Sequence, residues 1–149
     1  MRTRSESGFS YIQVLAALAI VAILARLAYP SYMESVRKGK RAEGRAALHA
    51  LLQQEELHYS RTNSYIRFSS ASTDGEEKKF KWFSGTSPAR SAYEIKAEPC
   101  EDETIQNCVI LIAQPGTEMV DRHFRDPLCG KLTLSSTGEK TADAPDCWP

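Results

Sequence analysis

The sequence predicts an α+β chain, with a long N-terminal helix packed on an antiparallel β-sheet. Three observations lead there. Residues from Phe9 to Tyr29 are almost all apolar, and the stretch from Ser31 to about Tyr59 repeats leucines at helical spacing. The second half then alternates apolar and polar residues in short runs separated by turn residues.

The apolar run comes first. It covers 21 residues, near the roughly 20 that a helix needs to cross a bilayer. Arg2 and Arg4 precede it, and the positive-inside rule keeps such an end cytoplasmic. An ordinary secretory signal would end in a small-x-small site. The nearest candidate, Ala25-Arg26-Leu27-Ala28, is interrupted by Arg26 and followed closely by Pro30. Arg26 can lay its stem along the helix while its guanidinium reaches the interface.

Beyond Pro30 the helical pattern resumes. Leu48, Leu51, Leu52 and Tyr59 fall on one repeat, while Arg41, Glu43, Arg45, Gln53 and Glu56 take other positions. Pro30 is expected to kink or loosen the helix. Gly39 and Gly44 weaken it by about 1 kcal/mol each relative to Ala, and could admit close packing with neighbouring helices.

Charge excludes some functions. Basic and acidic residues number 19 each in the 149-residue chain, so no global field steers it to nucleic acid or acidic lipid. The four cysteines, Cys100, Cys108, Cys129 and Cys147, contain no C-x-x-C pair, which fits zinc poorly. An even count behind an export-type N-terminus points to two disulfides outside the cytoplasm. Three pairings are open. Local loop closure favours Cys100–Cys108 and Cys129–Cys147, the second contributing roughly 3 kcal/mol on the chain-entropy model.

The segment GFSYIQVLAALAIVAILARLAYPSY resembles the N-terminus of type IV pilins and pseudopilins, in register over about 25 residues. Gly8 matches the last leader residue, Phe9 the mature N-terminus, and Pro30, Ser31 and Tyr32 the end of the apolar stretch. The resemblance implies a type IV pilin fold, cleavage between Gly8 and Phe9 by a prepilin peptidase, and methylation of the new Phe9 amine. Cleavage would remove Arg2, Arg4 and Glu6 and move the zero net charge to −1. The stretch RAEGRAALHALLQQEELHYSRTNSY resembles the second half of the long pilin helix, ending in an Asn-Ser-Tyr turn. The ending CGKLTLSSTGEKTADAPDCWP resembles minor pilins of the PilE-like group, with a cysteine-closed loop just before a C-terminal Trp.

One position departs from the family. Where these proteins usually carry Glu at the fifth mature residue, this chain has Gln13. In the family that carboxylate is thought to pair with a neighbouring subunit's N-terminus. Gln13 keeps the shape and hydrogen-bonding capacity but loses the ion pair, which would matter most in a low-dielectric setting. One reading of Gln13 is neutral drift; the other is a subunit that need not dock on an earlier amine, which suits low copy number at or near the filament tip.

The organisation expected is a leader at 1–8, a transmembrane and filament-core helix at 9–29, an amphipathic helix at 30–60, and a globular head at 61–149. Residues 61–90 open with an exposed Ser/Thr/Gly-rich connection. Phe80-Lys81-Trp82-Phe83 then reads as a short strand with aromatics on the core and solvated lysines. The alternative is a basic-aromatic surface of Lys78, Lys79, Lys81 and Trp82 able to contact DNA, although Glu76 and Glu77 dilute its field. Ser91–Glu98 alternates as a half-buried strand and Cys108–Ala113 reads as a central one. Leu132 and Leu134 mark a third strand, ending in a Ser136-Thr137-Gly138 turn. Together they make an antiparallel meander.

No nucleophile elbow, phosphate loop, dinucleotide fingerprint or H-E-x-x-H occurs. His49 and His58 are nine positions apart and about 180° out of phase on a helix, so they cannot share a metal. The acidic pairs Glu55-Glu56, Glu76-Glu77 and Glu101-Asp102 read as solvated charges. No catalytic residue, metal or cofactor is expected. The function expected is that of a minor pilin supporting pilus assembly, stability, adhesion or aggregation. The alternatives are a DNA-receptor pilin in natural transformation and a type II secretion pseudopilin. Expected partners are other pilin subunits, the prepilin peptidase and the inner-membrane assembly machinery, with DNA or a host or cell surface left open. The precursor belongs in the inner membrane, the mature chain in an extracellular pilus. Intact-mass measurement of the mature protein should give a chain beginning at methylated Phe9; a start near Ala28 or Tyr29 would end the pilin reading.

Overall fold

A computed structural model describes residues 10–148. The Gly8–Phe9 junction lies outside the described residues. Helix α1 spans Tyr11–Thr62. It contains Pro30 and runs through it as one helix. The helix ends where Asn63 takes the left-handed conformation (φ 55°) and donates its N–H to the Tyr59 carbonyl at 2.8 Å. Asn tolerates that conformation, and the bond satisfies one of the orphan carbonyls of a helix end.

The chain divides into two compact units, Met1–Lys38 and Gly39–Pro149. The first holds the apolar part of α1, whose side chains from Tyr11 to Tyr32 are exposed. That stretch is long and apolar enough to cross a membrane by length and composition.

The second unit holds the core. Strands β1 (Tyr93–Pro99), β2 (Val109–Pro115), β3 (Leu132–Ser135) and β4 (Lys140–Thr141) form one antiparallel sheet in the order β1-β2-β3-β4. This is the expected meander with β2 in the interior. The two-residue β4 adds a strand that the sequence does not announce, because two residues are too few to carry a period. Tyr93, Ile95, Ala97, Val109, Leu111, Ala113, Leu132 and Leu134 join Leu48 and Leu51 of α1 in the core. Register sets the other face: Ile110 lies opposite Ser135, and Ile112 opposite Thr133.

Both sheet edges are managed. β4 is short and exposed, and the indole N–H of Trp148 donates to its Thr141 carbonyl at 2.9 Å. Along β1, Ile95 N–H donates to Trp82 O at 2.7 Å and Ala97 N–H to Phe68 O at 2.9 Å. These bonds cover a strand edge that would otherwise invite pairing with another chain. They also correct the reading of Phe80–Phe83 as a strand. Glu77–Lys79 is a 3₁₀ turn, and Phe83 makes only an isolated bridge to Glu94. The aromatics nonetheless face inward: Phe80 is buried, and Trp82 packs partly buried on the core.

The two helix glycines differ. A Cβ at Gly39 would meet nothing within 4 Å, whereas one at Gly44 would lie 2.9 Å from Tyr93 Cδ2. Gly44 therefore admits a ring of its own sheet; Tyr93 is wholly buried against it. Gly39→Ala should stabilise the chain by up to about 1 kcal/mol through helix propensity. Gly44→Ala gains the same propensity but should lose a net ~1 kcal/mol or more to overpacking. Thermal unfolding of the two variants in detergent checks this, and a raised melting temperature for Gly44→Ala would show that Tyr93 can yield.

Candidate functional site

The residues of α1 that face the sheet are Arg41, Gly44, Leu48, Leu51 and Glu55, spaced alternately by three and four. Both charged members depart from expectation. Arg41 leaves the polar face assigned to it and is 5% exposed. Glu55, read as a solvated charge, is fully buried.

Arg41 meets Asp126, which lies in the connection between β2 and β3. Its Nε donates to Oδ2 at 2.8 Å and its Nη2 to Oδ1 at 2.6 Å, a two-pronged pairing that suits a planar guanidinium. The Tyr93 hydroxyl donates to Oδ2 at 2.8 Å, and the Cys129 N–H to Oδ1 at 3.2 Å. Burial alone would raise the Asp126 carboxyl. The hydrogen bonds from Arg41, Tyr93 and Cys129 outweigh it and hold the carboxyl below its ordinary range.

Two disulfides, Cys100–Cys108 and Cys129–Cys147, are formed. Cys129 follows Asp126 by one turn, and Gly130 beside it has φ 51°, with Asp143 occupying the space a Cβ would need. The C-terminal segment also returns to α1. Arg45 Nη1 donates to Cys147 O at 2.7 Å, and the His49 ring meets Trp148 edge-on at 5.9 Å. Lys140 Nζ lies 5.4 Å from the Trp148 ring centre.

Above this anchor the β2–β3 connection exposes Arg122, His123 and Arg125. Arg125 Nη1 donates to the carbonyls of Arg122 at 2.6 Å and Phe124 at 2.8 Å, shaping the loop from within. Arg122 is only 3.9 Å from Glu118, both largely exposed, so that pair contributes little. The connection docks on the residues just before β1 through Asp121 N–H to Ser91 O at 2.9 Å. This brings it beside exposed Arg90, whose own carbonyl accepts Lys40 Nζ at 3.1 Å. Arg90, Arg122, His123, Arg125 and Lys40 thus share one corner of the head, with Glu43, Glu118 and Asp121 as their acidic neighbours.

Of the surface proposed at Lys78, Lys79, Lys81 and Trp82, the three lysines are exposed and Trp82 is half-buried. Lys79 pairs with Glu76 at 2.6 Å, and Lys81 Nζ donates to Gly85 O at 2.8 Å while lying 5.2 Å from the Phe83 ring centre. Trp82 sits edge-on to Phe83 at 5.1 Å. Among the described residues no group of three His, Cys, Asp or Glu side chains converges to hold a metal.

In the first unit, Gln13 Oε1 accepts the Ser10 N–H at 3.0 Å. Ser10-Tyr11-Ile12-Gln13 is the S-x-x-Q spacing of a capping box, in which the fourth side chain reaches back to the cap's N–H. That signal stands in the sequence. A Glu would make the same bond, so the departure leaves helix capping intact.

Residues 30–133 match the family model of the type IV minor pilin ComP, DNA uptake sequence receptor. The matched span is well over half of the chain. This chain belongs to that family of minor type IV pilins. Its partners are accordingly other pilus subunits, and the secretion-system pseudopilin reading is set aside. No curated protein matches the sequence. A solved type IV pilin from Shewanella oneidensis is 27% identical, with 76% of this chain and 98% of that one covered at a TM-score of 0.48.

The Asp126 node gives this minor pilin a measurable signature. Asp126→Asn should cost about 3–5 kcal/mol by breaking the buried ion pair with Arg41. Because the folded-state carboxyl is held below its ordinary value of 3.8, its contribution is present above that value and lost as pH falls through the folded one. Denaturation midpoints should therefore drop as pH falls below about 4 in wild type, and less so in Asp126→Asn.

Proposed function

We propose that this minor pilin is made as a membrane-held precursor and cut between Gly8 and Phe9 by a prepilin peptidase. It is then methylated at Phe9, passed by the inner-membrane assembly machinery into the pilus, and displayed at the cell surface to contact DNA. It acts by binding and not by catalysis. The observation that carries the DNA reading is the corner of exposed Arg90, Arg122 and Arg125, beside His123, in a chain whose basic and acidic residues balance overall. The printed name of the matched family, a DNA uptake sequence receptor, supports it. Arginines free of strong ion pairs neutralise phosphates and release counterions, so they supply affinity without needing global positive charge.

The second reading is structural: support of pilus assembly, stability, adhesion or aggregation. Gln13 favours it. A neutral amide where the family carries a carboxylate suits a low-copy subunit near the filament tip, which has no earlier amine to neutralise.

Binding of duplex DNA by the full chain in detergent, titrated with salt, separates the readings. Arg90→Ala with Arg122→Ala should weaken binding at least tenfold and reduce the salt slope by about 2, since each phosphate contact contributes about 0.9. Lys78→Ala with Lys79→Ala should leave both nearly unchanged. The reverse pattern would move the contact to the Lys78–Trp82 stretch. No binding by wild type would leave the structural reading.

A further inference from the structure

The buried face of α1 ends in Glu55, whose side chain has no exposure at all. Its Oε2 accepts the Ile66 N–H at 3.0 Å, and its Oε1 has no partner among the described residues. Arg41, the buried cation on the same face, is paired with Asp126.

The charge acting on Glu55 is that of Glu56, and Arg67 of the following segment is exposed. Glu56 is its neighbour on α1 and accepts the Tyr65 hydroxyl at 2.9 Å. Tyr65 stacks on Tyr59 at 4.6 Å, bringing a phenol from α1 and one from the segment that follows it. Burial and the charge on Glu56 push the Glu55 carboxyl up, against the pull of the Ile66 N–H, to about 7. An ionised carboxylate here must find water, whereas a neutral acid is tolerated among apolar side chains.

The shortest way to admit water is the segment that Glu55 holds. Residues 64–68 form a strap between α1 and the edge of β1. Its backbone anchors are Tyr65 N–H to Ile105 O at 3.2 Å, Ile66 N–H to Glu55, and Phe68 O accepting Ala97 N–H at 2.9 Å. Phe68 is buried and stacked on Phe80 at 5.2 Å. We propose that protonated Glu55 is the latch of this strap: as the neutral acid it keeps residues 64–68 closed over the edge of β1, and its ionisation favours the opened strap, which bares the Ala97 amide. The inference is independent of whether the head binds DNA.

Linkage sets the direction and the size. The carboxyl is neutral in the closed strap up to about 7 but regains its ordinary value of 4.5 when solvated. Opening therefore releases a proton across that window, and the open population should grow about tenfold per pH unit between about 5 and 7, then level off. Hydrogen exchange on the full chain in detergent, corrected for intrinsic rates, reads this directly. Protection of the Ile66 and Ala97 amides should fall along that curve while Leu111 in β2 stays constant. In Glu55→Gln, which keeps the shape without the titration, both strap amides should be flat in pH. Three results would overturn the latch: pH-independent strap protection in wild type, the same curve in Glu55→Gln, or loss of Leu111 protection in step with the strap.

Discussion

Four hydrogen bonds converge on the carboxylate of Asp126, and they come from α1, β1 and the start of the disulfide-closed C-terminal loop. The side chain has no exposure, and Arg41 beside it has almost none. A buried ion pair of this kind adds little net stability over an apolar substitute, yet breaking it leaves a charge stranded in a low-dielectric interior. Its consequence is selective: a loop that docks without presenting Asp126 to Arg41 and Tyr93 is heavily disfavoured. The long connection between β2 and β3 is thereby held in one conformation although it contains no strand or helix of its own.

The rest of the head follows from that constraint. Tyr93 must reach Asp126 from β1, which requires its ring to cross α1 where Gly44 leaves room. Cys129 is placed one turn beyond Asp126, and its disulfide to Cys147 returns the C-terminal segment to Arg45 and His49 on α1. At the other end of the same helical face, Glu55 is buried without a cation. The two carboxylates respond to pH in opposite senses. Asp126 stabilises the fold as an anion and loses that contribution in acid, whereas Glu55 is tolerated as an acid and loses stability as pH rises toward 7. Between them they favour mildly acidic conditions for the head.

For a minor pilin this division of labour is economical. The apolar part of α1 has the length to cross a membrane. The head turns its packing requirements inward, to the Asp126 node and the leucine stripe. The loop secured by the node is then able to carry exposed Arg122, His123 and Arg125 without needing them for its own stability, apart from the carbonyl contacts of Arg125. Loops held by a rigid scaffold are where recognition residues are best placed.

Much of this was legible in the sequence because its signals are local. The apolar run, the leucines of α1, the alternation in β1 and the turn at Gly138 each lie within one segment, and a period needs only neighbours. The capping pattern from Ser10 to Gln13 was equally local. What the sequence could not determine depends on residues far apart in the chain. Arg41 and Glu55 look like surface charges, since only the fold brings Asp126 to the first and buries the second under Ile66. Arg41 and Asp126 are separated by 85 positions. The inward turn of Trp82 follows from its carbonyl meeting Ile95 at the sheet edge, not from the lysines around it. The cationic corner gathers Lys40, Arg90, Arg122 and Arg125 from three segments that carry no common motif. Periodicity records which face of an element is apolar; only tertiary packing decides which charges are paired, which are buried alone, and which remain free to meet a partner.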